Sequence, residues 1–218
     1  MKREFQKRLI SSLILMPICF FLIIKGSILF NLFLLVCFLI TSYEWHMMSK
    51  KKFFHIFGYL FLLISFFSVY SLRNDENEIS FFLFLLITIT CISTDIGGYI
   101  FGKIFKGPKL TKLSPNKTYS GMMGSYVLSI IAIYFFVENS NLIMNDKYEF
   151  TNGLLFLILI ISTISQIGDI IISLFKRLSK IKDTGKIIPG HGGLLDRIDG
   201  MLFAFPTFYL IYSLNLIK

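Results

Sequence analysis

Charge is scarce in this sequence. Only 16% of its 218 residues are charged against 55% apolar, and the mean hydropathy of +0.71 is well above that of a water-soluble domain. A globule of this size could not hide so much Phe, Leu and Ile from water, so an ordinary soluble enzyme is excluded and a bilayer is the natural solvent. Cysteine is nearly absent as well. Cys19, Cys37 and Cys91 each lie inside an apolar run, with no pairing motif and no histidine at ligand spacing, and read as packing residues. Neither a GxxxxGK[ST] loop nor a Rossmann glycine pattern occurs, so any nucleotide must be held by other means. The basic start MKREFQKR leads into an apolar stretch without a small-residue cleavage pattern, which predicts a retained first span.

Long hydrophobic runs are what the chain has in quantity. A helix needs about 20 apolar residues to cross the hydrocarbon core. Seven runs approach this: Leu9–Ile24, Ile28–Tyr43, Phe53–Leu72, Ile79–Phe101, Gly124–Val137, Gly153–Phe175 and Met201–Ile217. The expected architecture is all-α and polytopic, a single transmembrane catalytic domain over residues 1–218 with about seven membrane helices. The first, second and fifth runs are short, which predicts a tilted, partly interfacial or re-entrant course for each. With the N-terminus inside, 18 of the 22 Lys and Arg fall on the cytoplasmic side, and only Lys25, Arg73, Lys147 and Lys218 fall on the other. That asymmetry accounts for most of the net charge of +9 and leaves no need for a nucleic-acid partner. It predicts a multi-pass protein of the cell (inner) membrane, with its active-site loops, 103–123 and 176–200, in the cytoplasm.

Three acids, Glu44, Asp95 and Asp169, lie within or at the edge of spans. A lone carboxylate at the centre of a membrane helix costs at least about 2.5 kcal/mol, so each is a site candidate by default. Glu44, near the end of its span beside Trp45 and His46, is expected to be hydrated at the interface. Asp169 belongs to a polar stripe at helical spacing, with Ser162, Ser165, Gln166, Ser173 and Lys176, that leads into the second basic loop. Thr88, Asp95 and Gly102 are likewise seven residues apart. Gly98 and Gly102 form a small-residue face that either packs a neighbouring helix or also lets a phosphate approach backbone. The second loop combines Asp183, Asp196 and Asp199 with His191, basic residues and the glycines Gly185, Gly190, Gly192 and Gly193. Carboxylates in a positive loop point to Mg²⁺ completed by phosphates, whereas a single histidine without cysteine argues against zinc. Basic groups for phosphate oxygens and acids for Mg²⁺ are what phosphoryl or nucleotidyl transfer requires. A transporter with an intramembrane ion pathway would instead place charges midway through several spans and connect them by short, plain loops.

The segment Ser173–Asp199, SLFKRLSKIKDTGKIIPGHGGLLDRID, resembles the signature of the phosphatidate cytidylyltransferases, the CDP-diacylglycerol synthases. TDIGGYIFGK (Thr94–Lys103) and LSPNKTYSG (Leu113–Gly121) are similar to further segments of that family. The resemblance implies a nucleotidyltransferase of phospholipid biosynthesis that joins CTP to phosphatidic acid, giving CDP-diacylglycerol and pyrophosphate. It implies Mg²⁺, with room for a second, monovalent cation, and a homodimer is compatible with it. By the same resemblance Asp169 and Asp196 are the metal ligands. Lys176, Arg177 and Arg197 hold phosphates, His191 with Gly192 and Gly193 approaches the phosphate chain, Lys182 and Asp183 form an orienting pair, and Asp199 is either a further metal ligand or a partner behind the ligands. Ser114, Asn116, Lys117 and Thr118 contact the nucleotide, Tyr119 is placed to stack on the base, and Asp95 holds the site together. Asn116 and Ser120 depart from the family's pattern. Many members are longer, so the chain is expected to lack one or two N-terminal spans.

Overall fold

The computed structural model describes residues 13, 17–111, 114, 117–187 and 192–214. Among them, apart from one isolated bridge between Lys109 and Thr118, the regular structure is helical. Residues 17–25 are helical and end at Gly26, whose φ of 61° suits a residue without Cβ. There follow α1 (Ser27–Ser49), α2 (His55–Asn74), α3 (Glu78–Phe105), α4 (Tyr119–Glu138), a 3₁₀ turn at Ser140–Leu142, α5 (Asn152–Leu178) and α6 (Leu195–Ser213).

Helices α1 to α5 are long and apolar enough to cross a membrane, and the chain is a membrane protein on that ground. The first of the seven expected runs lies partly outside the described residues. The last forms α6, which is 19 residues long and carries Asp196, Arg197 and Asp199 near its start, so its apolar portion is shorter than in the five others. Two of the runs expected to be short form full-length helices. α1 continues past the end of its apolar run at Tyr43, because Glu44, Trp45, Met48 and Ser49 are buried and so gain from staying helical. α4 starts five residues before its run, at Tyr119, where Thr118 Oγ1 accepts the Gly121 N–H at 3.1 Å as an N-cap. The two loops expected to carry the active site are correspondingly shorter than expected, because 103–105 belong to α3, 119–123 to α4, 176–178 to α5 and 195–200 to α6.

The chain divides into two compact units. One comprises the described residues of Met1–Asn74 with Leu174–Ile198. In it α1 and α2 pack as a hairpin whose turn is closed by aromatic and polar contacts. The Trp45 indole, 3% exposed, donates to the His55 carbonyl at 3.0 Å and meets Phe54 and Phe175 edge-on. Gly58 leaves the room that this ring fills. His55 Nδ1 shares a hydrogen bond with Ser49 Oγ at 2.7 Å, and His46 Nδ1 one with the Tyr59 hydroxyl at 3.1 Å. At the opposite end Arg73 donates to the carbonyls of Ile23 and Ile24, satisfying acceptors that a helix C-terminus leaves free.

The other unit comprises Asp75–Ser173 with the described residues of Asp199–Lys218, and its dominant packing is α3 on α4. Gly97, Gly98 and Gly102 face Gly121, Gly124 and Ser125. A Cβ on Gly97 would come 2.5 Å from the Gly124 carbonyl oxygen, and one on Gly121 would come 2.8 Å from that of Gly98. These glycines bring two backbones together, which is how helices associate where no hydrophobic drive separates lipid from protein. Gly98 and Gly102 thus pack closely against α4, which both readings of this face require. The interior is tied by Thr94 Oγ1 donating to Ser162 Oγ at 2.8 Å and Ser125 Oγ to the Thr94 carbonyl at 2.7 Å. Away from that contact, Asp75, Ser80 and Tyr212 form a hydrogen-bonded cluster at the α3 start.

Candidate functional site

In the first unit, α5 ends in Lys176, Arg177 and Leu178, and the chain then loops to Leu195, where α6 begins. Lys176 Nζ lies 2.8 Å from Asp196 Oδ1, with only 12% and 7% of the two side chains exposed. Such a pair is sparingly screened by water, so its geometry is held more firmly than that of a surface ion pair. Asp196 uses its second oxygen as well, since Oδ2 accepts the Thr184 N–H at 2.9 Å. Asp196 stands in the first turn of α6, where the unsatisfied N–H groups of a helix favour negative charge.

Beneath this loop lies a carboxylate with a different environment from the expected one. Glu44 is not hydrated at an interface but 1% exposed. Oε2 accepts the Thr184 hydroxyl at 3.1 Å and the Leu195 N–H at 2.8 Å, and Oε1 accepts the Leu194 N–H at 3.0 Å. A buried acid is retained only where donors replace water, and here the loop supplies three. The flanking glycines make the space. A Cβ on Gly185 would collide with the Glu44 carboxylate, and one on Gly193 would collide with Thr184 Oγ1 and come 2.7 Å from Glu44 Oε2. Gly193, expected to approach phosphate, lies against Thr184 and Glu44. Gly192 has a φ of 90°, a conformation that favours glycine, and its absent Cβ would point within 3.6 Å of Asp196 Oδ2.

Sequence reasoning had no signal for this arrangement. Glu44 caps a helix 151 residues away from Leu195 N–H, and a cap contributed from that distance has no local pattern. Thr184 was likewise missed. Of the remaining expected residues in this unit, Arg177 and Arg197 are exposed, and Arg177 Nη1 reaches the Ile181 carbonyl at 3.4 Å. Lys182 and Asp183 are both exposed and make no ion pair with each other, so the expected orienting pair is not formed. His191 lies outside the described residues.

In the second unit the corresponding feature is Lys117 on Asp169, Nζ to Oδ2 at 2.5 Å. Lys117 also reaches the Gln166 carbonyl at 3.4 Å, and Ser173 Oγ donates to Asp169 Oδ1 at 3.4 Å. The polar stripe predicted on α5 is thus present as contacts along one helix, with Gln166 Nε2 donating to Ser162 Oγ at 3.3 Å. Lys117 is anchored in a tight loop, its N–H donating to the Ser114 carbonyl at 3.0 Å while the Ser114 N–H donates to Thr111 Oγ1 at 3.1 Å. Thr118 serves as the α4 cap, Tyr119 is half-exposed, and Ser120 donates to the Lys106 carbonyl. Asn116 lies outside the described residues. Asp95 is exposed on α3, and Asp199 is 5% exposed with Oδ1 accepting the Gly200 N–H at 2.9 Å.

In each unit, taken by itself, the carboxylate is a donor that suits a hard cation. Asp169 and Asp196 each already hold a cationic ammonium on one carboxylate oxygen, and a carboxylate offers about four lone-pair sites, so capacity remains at both. Among the described residues no three His, Cys, Asp or Glu side chains cluster as a self-sufficient metal cage. Mg²⁺ does not need one, because it is commonly held by one or two carboxylates with phosphates and water.

The profile of the cytidylyltransferase family matches residues 54–215. Among the curated relatives named phosphatidate cytidylyltransferase are three from two bacterial genera. The protein of Staphylococcus haemolyticus is 34% identical over 185 residues, 80% of this chain and 65% of its own length. That of Rickettsia typhi is 33% identical over 221 residues, 95% of this chain and 92% of its own. That of Staphylococcus aureus is 34% identical over 185 residues, again 80% and 65%. The chain therefore spans about two thirds of the staphylococcal relatives and nearly all of the rickettsial one. The matched region takes in α2 to α6 and both basic loops, with Lys117, Asp169, Lys176 and Asp196 inside it. By the extent of that match, the chain belongs to the cytidylyltransferase family.

Proposed function

We propose that this protein transfers a cytidylyl group from CTP to phosphatidic acid, releasing pyrophosphate and leaving CDP-diacylglycerol in the membrane. The observation that carries the reading is the Lys176–Asp196 pair, a shielded ammonium and carboxylate at the end of a helix apolar enough to span a bilayer. Lipid phosphate and nucleotide phosphate meet at such a position and nowhere deeper, because phosphates keep to the headgroup level. The names of the relatives supply the substrates. The positive-inside count supports a cytoplasmic face of the cell membrane, where CTP is found.

In this reading a phosphatidate oxygen attacks the α-phosphorus of CTP in line. The new P–O bond forms as the bond from the α-phosphorus to the bridging oxygen breaks, and pyrophosphate leaves with that electron pair. The attacking oxygen is already anionic, so no general base is required. Lys176 beside Asp196, and Lys117 beside Asp169 in its own unit, supply fixed positive charge, and Arg177 and Arg197 offer further cationic groups to phosphate oxygens. Arginine suits that task because its planar fork pairs with two phosphate oxygens at once. We assign Asp169 and Asp196 to Mg²⁺, which when bound neutralises the phosphate charge that builds up at the reacting centre. The chain's own part is orientation and charge placement, the two terms on which this chemistry depends.

The test is incubation of the detergent-purified protein with dioleoyl phosphatidic acid, labelled CTP and Mg²⁺. Labelled CDP-diacylglycerol is expected, and it should vanish with EDTA and with Asp196→Asn. Absence of product under conditions where a curated relative is active would refute the reading.

A further inference from the structure

Glu44 has no place in that reaction scheme, yet it is among the most thoroughly buried ionisable side chains described. It forms no ion pair among the described residues, and its negative charge is balanced by the Leu194 and Leu195 N–H groups at the start of α6 and by the Thr184 hydroxyl. An apolar side chain would fill the same volume without the cost of desolvation. What only a carboxylate supplies is a set of converging acceptors. Those acceptors act on both sides of Asp196: on Leu195, its chain neighbour, and on Thr184, whose own N–H donates to Asp196 Oδ2 at 2.9 Å. Thr184 is thus held from below by Glu44 through its side chain and holds Asp196 through its backbone. Gly185 and Gly193 keep the passage open.

We propose that Glu44 is a positioning residue that fixes the Asp196 carboxylate through Thr184 and the α6 N-terminus, and so sets the affinity of Asp196 for a divalent cation. The proposal rests on the assignment of Asp196 to the metal made above. Hydrogen-bonding partners behind a ligand commonly change metal affinity roughly 10- to 100-fold when removed. Glu44 occupies that relation to Asp196 at one remove.

The experiment uses the full chain in detergent micelles with Mn²⁺ as the probe, free Mn²⁺ being read by electron paramagnetic resonance. Wild type, Glu44→Gln, Glu44→Asp and Thr184→Val are compared, with Asp196→Asn marking a chain that lacks the ligand itself. Glu44→Gln loses one acceptor oxygen and should weaken Mn²⁺ binding roughly tenfold. Glu44→Asp, which keeps both, should recover part of the loss. Thr184→Val removes only the hydroxyl and leaves the N–H to Asp196, so it should fall between, and it decides the matter where Glu44→Gln does not fold. In the turnover assay the same variants should need more Mg²⁺ for half-maximal rate while the rate at saturating Mg²⁺ changes less. A residue that merely stabilises the fold would lower the folded fraction and leave the metal dependence alone. Folded Glu44→Gln or Thr184→Val that binds Mn²⁺ like wild type overturns the proposal, as does a wild type that takes up none. Wild type that binds Mn²⁺ but makes no CDP-diacylglycerol refutes the cytidylyl-transfer reading instead, and the Mn²⁺ comparison still decides on Glu44.

Discussion

Gly193→Ala gives the sharpest test of the packing beneath the second loop. Gly193 does not have a positive φ, so alanine is conformationally acceptable, and the loss of unfolded-state freedom alone would stabilise by about 0.4 to 1 kcal/mol. The space is the obstacle. The new methyl would collide with Thr184 Oγ1 and lie 2.7 Å from Glu44 Oε2 and 2.8 Å from the Gly185 nitrogen. One of these neighbours is backbone, so a rotamer change cannot relieve all three. Overpacking of this kind costs about 1 to 3 kcal/mol. Displacing Glu44 from even one donor adds about 1.5 to 3 kcal/mol for a hydrogen bond to a charged group. After the entropic gain, a net loss of about 2 to 4 kcal/mol is expected. That corresponds to a melting temperature lower by something on the order of 5 to 15 °C for a chain of this size. Gly153→Ala is the control, since its Cβ would meet only Thr151 Oγ1 at 3.8 Å, and it should be neutral or slightly stabilising. Trp45 is the single tryptophan and packs against Phe54 and Phe175 in the same unit, so its fluorescence reports the relevant melting directly. If Gly193→Ala melts with or above wild type while Gly153→Ala behaves as stated, the account of Glu44 and its glycines is wrong.

Three further outcomes are expected. Thr118→Ala removes the side-chain acceptor at the start of α4 and should cost about 1 kcal/mol, measurable as a lower melting temperature, whereas Tyr119→Phe should not. Gly124→Val drives a branched side chain into the Phe101 ring at the α3 and α4 contact and should cost at least about 3 kcal/mol or abolish monodisperse protein on size exclusion; a well-behaved variant would contradict the close packing. Asp75 lies outside the spans, and the Ser80 hydroxyl, foremost among its donors, holds its carboxyl below the ordinary value of 3.8. The stability it contributes is therefore present at neutral pH and is lost as the pH falls below that value through the lower folded one. Asp75→Asn should flatten this acid limb of the melting temperature against pH, and an unchanged limb would rule the contribution out.

The sequence by itself determined the solvent and the helices. Apolar runs near membrane thickness separated by charged loops leave a chain few alternatives, since an unpaired backbone in lipid is too costly for anything but helix. Its motifs also pointed to the family, and the glycines of TDIGGYIFGK already indicated a helix contact, because closely spaced small residues on one face let two helix backbones approach. The ends of α1 and α4 were not legible. Hydropathy stops at Tyr43, but the helix does not, as the residues beyond it bury themselves by contacts that periodicity does not name. The same holds for the site. Asp169 stood out in the sequence as a charge in a costly place and Asp196 as an acid of a basic loop, but that each is engaged by a lysine, Lys117 and Lys176, depends on the chain folding back over distances of 52 and 20 residues. Glu44 shows the limit most plainly. In the sequence it is one acid at a span's end, indistinguishable from a hydrated one. Tertiary structure alone decided that Gly185, Gly193 and the start of α6 close over it, and burial then turned an ordinary carboxylate into the acceptor that holds the loop in place.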